Sequence, residues 1–174
     1  MNDHDVIICK DINAFRWEDI VLGEVMRSGI YTVTEDEIVT FARKFDPLPI
    51  HVDRNHAATG PFGTLTASGT HMLAIKQRLM HDFVFCEGIL ASLGFDETRF
   101  LAPLRPDQRC QVEVRFVEKR PSGSRADRGI AQMSITLLAD DEPVMTQRDN
   151  VLMHRRVPVV ADNTPITQVQ TREV

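Results

Sequence analysis

The chain has 174 residues, 43% of them hydrophobic and 26% charged, which suits one globular domain with a substantial core and excludes the disordered and fibrous classes. Twenty Lys and Arg against 25 Asp and Glu give a net charge of -5. With no basic stripe to release counterions, neither nucleic acid nor an anionic membrane surface is expected as a partner.

The start, MNDHDVIICKDINAFRWEDI, has neither the positive n-region nor the continuous apolar stretch of a signal peptide, and no window approaches the length of a membrane span. A cytoplasmic protein is expected. Cys9, Cys86 and Cys110 are odd in number and form no Cys-x-x-Cys pair, so they read as buried or incidental thiols. His56, His81 and His154 have no neighbour at metal-ligand spacing, and no metal is expected.

In chain order, residues 23–33 (GEVMRSGIYTV) carry β-formers in loose alternation and predict a strand or hairpin. Thr34 and Glu37 then form a Thr-x-x-Glu capping box, and Ile38, Phe41, Ala42 and Phe45 repeat at helical spacing. Pro47 and Pro49 stop that helix, which predicts a loop over 46–52. Asp53 is a candidate N-cap for a short turn over 54–58.

A second helix is predicted over about 70–85. Met72, Leu73, Ile75, Lys76, Leu79, Met80 and Phe83 leave it little polar surface, so it suits a helix wrapped by a sheet. Strands are predicted at 94–101, 110–119, 129–139 and 144–154, with turn material between them. A long helix followed by a run of alternating strands, without βαβ repetition, predicts an α+β fold with a largely antiparallel sheet. The polar, aperiodic tail from 158 to 174 is expected to be disordered, leaving 1–157 as the domain.

The chemistry-bearing stretch is residues 41–72, FARKFDPLPIHVDRNHAATGPFGTLTASGTHM. It sets a carboxylate, Asp46, and an imidazole, His51, five positions apart on a proline-stiffened segment. Such a pair can take a proton from water and deliver one to carbon. A helix start at Gly69 would supply free N–H groups to an oxygen gaining negative charge, and would let a substrate approach the backbone. Spacing alone favours a turn Asp and a structural His over a catalytic pair, since turns are where Asp gathers.

The segment resembles the MaoC-like hydratase/dehydratase signature. Asp46-Pro47-Leu48-Pro49-Ile50-His51 stands where that family has Asp-x-Asn-Pro-x-His, followed by Val52-Asp53, Ala57-Ala58, Phe62-Gly63 and Ser68-Gly69. The resemblance implies a single hotdog fold, in which a long central helix is wrapped by the sheet. It also implies (R)-specific hydration of a 2-enoyl-CoA, or the reverse dehydration, in fatty acid metabolism. Asp46 and His51 are then the catalytic dyad, with Phe62, Gly63, Ser68, Gly69 and Thr70 against the acyl thioester.

Coenzyme A enters as part of the substrate and no other cofactor is implied. The partner implied is a second copy, as a homodimer or dimer of dimers. Leu48 replaces the usual Asn, and Ser68 the usual His before the helix-start Gly, which loosens the substrate assignment more than the dyad. His71 reads as a packing or helix-surface residue. Arg99, Arg105 and Arg109 are candidates for CoA phosphates. A hotdog thioesterase and a non-catalytic acyl-thioester-binding subunit are the competing functions on the same fold.

Overall fold

The structure, a computed structural model, describes residues 15–156. Helices gather in the first half, α1 (Glu35–Phe45), α2 (Pro49–Val52), α3 (Arg54–Thr59) and α4 (Gly69–Met80). Two short strands precede them, β1 (Met26–Arg27) and β2 (Tyr31–Thr32), and four long ones follow: β3 (Ile89–Phe100), β4 (Arg109–Pro121), β5 (Arg128–Ala139) and β6 (Glu142–His154). The expected tail beyond residue 157, and Cys9, lie outside the described residues.

All six strands form one antiparallel sheet in the order β1-β4-β5-β6-β3, with β2 also on β4. Period-two alternation puts Cys110, Val112, Val114 and Phe116 of β4, and Ala131, Met133, Ile135 and Leu137 of β5, on one buried face. That face closes over α4, whose Met72, Ile75, Leu79 and Met80 are buried in the same core. The arrangement is the α+β hotdog architecture expected from the sequence. The β5–β6 hairpin turns on Asp140 and Asp141, both with positive φ (50° and 68°), the backbone that matches strand twist in a two-residue loop.

Local chemistry sets the helix starts. Thr34 Oγ1 accepts from Glu37 N (3.2 Å) while Glu37 Oε2 accepts from Thr34 N (2.9 Å), so the capping box opens α1 as expected. Asp53 Oδ1 caps α3 through the N–H groups of Asn55 and His56.

Three boundaries differ from the sequence reading. The loop over 46–52 contains one helical turn, because Pro49 occupies the first position of α2, where its fixed φ favours the turn and no donor is lost. α4 ends at Met80, and the apolar pattern continues in a separate 3-10 turn (Val84–Gly88) because Phe83 and Phe85 pack into the core from outside the helix. β3 begins at Ile89, five residues early, since Gly94 (φ +136°) sits inside the strand at an irregularity in its pairing with β6. Among the described residues no helix is long and apolar enough to cross a membrane.

Candidate active site

Asp46 is the C-cap of α1, and His51 sits on α2 one short connection later. Leu48 N donates to Asp46 O (2.8 Å) and His51 N to Leu48 O (2.8 Å), so the connection folds tightly on itself. His51 Nε2 and Asp46 Oδ2 end 4.0 Å apart, beyond direct hydrogen-bond distance but a gap that one oxygen atom can bridge. The His51 side chain is 9% exposed and that of Asp46 33%, so the imidazole is buried behind a carboxylate that still meets solvent.

The other ring nitrogen is fixed by backbone. His51 Nδ1 lies 2.6 Å from the Thr66 carbonyl oxygen, with Thr66 Oγ1 at 3.4 Å. A carbonyl only accepts, so Nδ1 carries a proton, and Nε2 is the ring nitrogen turned toward Asp46. Thr66 is itself held by its N–H to Ile50 O (3.3 Å), and Ala67 N donates to Leu104 O (2.8 Å).

Beside the dyad opens a cavity of about 330 Å³. His51, Thr66 and Ala67 line one side, Gly69 and Met72 the start of α4, and Phe62 and Phe100–Pro103 the mouth. Ser68 caps α4 by accepting from His71 N (3.2 Å), and its hydroxyl shares a 2.9 Å hydrogen bond with Thr70 Oγ1. Neither the Gly69 nor the Thr70 N–H has a partner among the described residues, so both remain free donors at a positive helix end. The Phe100 ring rests on Gly69 so closely that a Cβ there would stand 2.6 Å from its Cζ. Only glycine permits that approach.

Of the residues singled out in the sequence, His51, Phe62 and Gly69 line this cavity, and Asp46 lies next to His51 without lining it. Ser68 and Thr70 shape the helix start rather than the wall, and Gly63 (φ +69°) makes the turn after Phe62. Phe83 and Phe85 stack on each other in the core, away from the cavity. Arg99, Arg105 and Arg109 are all exposed.

Thr66 and Phe100–Pro103 were not singled out in the sequence, and Met72 was named there only as an apolar position of the helix. The Pro103 turn was legible, but its proximity to Gly69 is a tertiary fact. His71 is buried, stacked on Phe41 at 4.3 Å and 6°, and burial pushes its pKa down against the opposing charge of Glu37. It lines a second, larger hollow of about 420 Å³ along α1 that contains neither Asp46 nor His51, so size does not mark the site here.

A family described as MaoC like domain matches residues 21–136. The chain is similar to an uncharacterized protein of Bacillus subtilis, YdeM, at 30% identity over 105 residues, 60% of this chain and 74% of that protein. It is similar to 3-hydroxyacyl-thioester dehydratase Z of Mycobacterium tuberculosis at 31% identity over 122 residues, 68% of this chain and 78% of the relative. Among solved structures, a MaoC-like dehydratase from Rhodospirillum rubrum superposes with a TM-score of 0.76 at 33% identity, over 82% of this chain and 99% of that one. Motif, fold and relatives agree: this chain belongs to the MaoC-like dehydratase domain family.

Proposed function

We propose that this protein adds water across the 2,3 double bond of a 2-enoyl-CoA, or removes it from the 3-hydroxyacyl-CoA, with Asp46 and His51 as the acid/base pair. The observation that carries this reading is the 4.0 Å gap between Asp46 Oδ2 and His51 Nε2, beside a cavity whose far wall is the open helix start at Gly69.

A water seated between carboxylate and imidazole gives up one proton to the dyad as its oxygen bonds to C3. The π electrons move through C2 to the thioester oxygen, which the free N–H groups of Gly69 and Thr70 hold as an enolate. Collapse of the enolate takes a proton from the dyad onto C2, so atoms and charge balance and the enzyme returns to its starting state. Dehydration is the same path reversed. Phe62 and Phe100 flank the acyl group, and Ser68 and Gly63 shape the backbone around it. The relative named for acting on 3-hydroxyacyl thioesters supports the substrate class.

A homodimer is part of this proposal. β3 is an edge strand, and Leu93, Phe95, Phe100 and Leu101 are each about half exposed along or beside it, a long apolar edge of the kind that a second copy covers.

The test follows the conjugated-thioester absorbance of crotonyl-CoA and longer enoyl-CoAs with wild type and Asp46→Asn, alongside thiol release. Loss of absorbance without thiol release, lowered at least about 100-fold in Asp46→Asn, is the expected result. Thiol release moves the protein to thioester hydrolysis, and silence in both assays sinks the hydratase reading.

A further inference from the structure

The inward face of the sheet is apolar except at one place. Alternation along β6 turns Gln147 and Asp149 into the core between Met145 and Val151, and α4 contributes Lys76, one turn beyond Met72. Their exposures are 2%, 4% and 1%. Lys76 Nζ donates to Asp149 Oδ2 (2.9 Å) and to Gln77 Oε1 (3.4 Å), and Gln147 Nε2 donates to Asp149 Oδ1 (2.5 Å). The ammonium also lies 4.5 Å from the centroid of Phe95, a half-exposed ring on the edge strand. Gln147 Oε1, fully buried, accepts from nothing among the described residues.

Lys76, Gln147 and Asp149 do not line the cavity, but cluster and cavity share the elements α4 and β3. Gly69 meets Phe100 at one end of the α4–β3 seam, and Lys76 meets Phe95 at the other. Seven residues of helix rise about 10.5 Å, and the Lys side chain leans back toward the helix start, so the polar cluster sits roughly 7–10 Å from the free N–H groups. C–C bonds of about 1.5 Å advance about 1.25 Å each along an extended chain, so the span is about six to eight bonds. Met72 stands between cavity and cluster, and its unbranched thioether can fold aside.

Charge balance decides what would sit there. Lys76 and Asp149 neutralise each other, so a carboxylate would add an uncompensated buried charge. A methyl end would leave Gln147 Oε1 orphaned at full desolvation cost. A hydroxyl donates to Gln147 Oε1 and accepts from the ammonium.

We infer that the seam between α4 and β3 is an acyl channel ending in a Lys76–Asp149–Gln147 polar site, which selects acyl thioesters bearing a hydroxyl on C6 to C8 of the acyl chain. This rests on the acyl-thioester reading above and specifies its substrate class.

The test is calorimetric binding of saturated probes, which cannot react: hexanoyl- and octanoyl-CoA against 6-hydroxyhexanoyl- and 8-hydroxyoctanoyl-CoA, with suberyl-CoA as the carboxylate end. One hydroxyl probe is expected to bind about three- to tenfold tighter than its plain counterpart. Gln147→Leu, or the similarly sized Gln147→Met should the first not fold, brings the two affinities together. Equal affinities in wild type, tighter binding of suberyl-CoA, retained preference in the folded variants, or no binding of any probe overturns the inference. Absorbance loss with 2-octenoyl-CoA is read in parallel. Turnover without hydroxyl preference sinks the channel alone, and preference without turnover sinks the hydratase reading alone.

Discussion

Lys76→Met is the substitution whose cost follows most directly from the structure. The side chain is 1% exposed and its partner Asp149 5%, at 2.9 Å, so both ions are fully desolvated and the pair survives on mutual attraction and hydrogen bonds. Removing the ammonium strands a buried carboxylate with Gln147 Nε2 as its remaining donor, a loss of about 3–5 kcal/mol. For a domain of this length that lowers Tm by roughly 6–20 °C. Replacing both partners, Lys76→Met with Asp149→Leu, removes the stranded charge and keeps the volume. The double variant also takes from Gln147 Nε2 its acceptor, so it is expected about 1–3 kcal/mol below wild type, a smaller loss than the two single changes would sum to. Urea unfolding at one fixed protein concentration measures all four corners of the cycle, which keeps any dimer equilibrium constant. A Lys76→Met cost under about 1 kcal/mol would refute the reasoning, because it would mean that water reaches Asp149 and the pair is not desolvated.

Three further outcomes follow from particular contacts. His51→Asn keeps a donor where Nδ1 meets the Thr66 carbonyl but deletes Nε2, so stability stays within about 1 kcal/mol while kcat/KM on enoyl-CoA falls about 10²- to 10⁴-fold; near-normal turnover would remove His51 from the chemistry. Gly69→Ala pushes a methyl to 2.6 Å from Phe100 Cζ, and the half-exposed ring swings out. Turnover drops at least about tenfold, with unfolding free energy changed by less than about 1 kcal/mol, and unchanged turnover would place the thioester elsewhere. Burial raises the thiol pKa of Cys86 to about 11 and of Cys110 to about 12, so alkylation of either at pH 8, mapped by peptide mass, is slow in the native protein and fast in urea. Because these folded values exceed the unfolded value of 9.0, the unfolded chain loses protons first as pH rises from about 9 to 11. Stability then falls across that window, and a flat profile there would contradict the burial of both thiols.

What was legible in the sequence was whatever local chemistry decides. Thr34 and Glu37 name the start of α1 because the capping box is complete within four residues, and the alternation of Cys110, Val112, Val114 and Phe116 reads directly as a strand with one buried face. The single turn of α2 was not legible, since four residues carry too little periodicity and two prolines argue against a helix unless one occupies its first position. Phe83 extended the apolar pattern of α4 past its end because burial, not helicity, is what periodicity records.

The site divides the same way. Asp46 and His51 are close in sequence and were named from it, whereas Thr66, which fixes the tautomer, and Phe100, which covers Gly69, reach the site through pairings 15 and 31 residues long. The buried cluster did leave a signal. In PVMTQRDNVLM, Gln147 and Asp149 share the parity of Met145, Val151 and Met153, and so were bound to face the core once β6 was granted as a strand. Lys76 holds the corresponding position among the apolar residues of α4. Three polar side chains at core positions on two separate elements can be stable only by meeting one another, so their mutual contact was implied by pattern alone. The orphaned Gln147 Oε1, which the three cannot satisfy among themselves, was not.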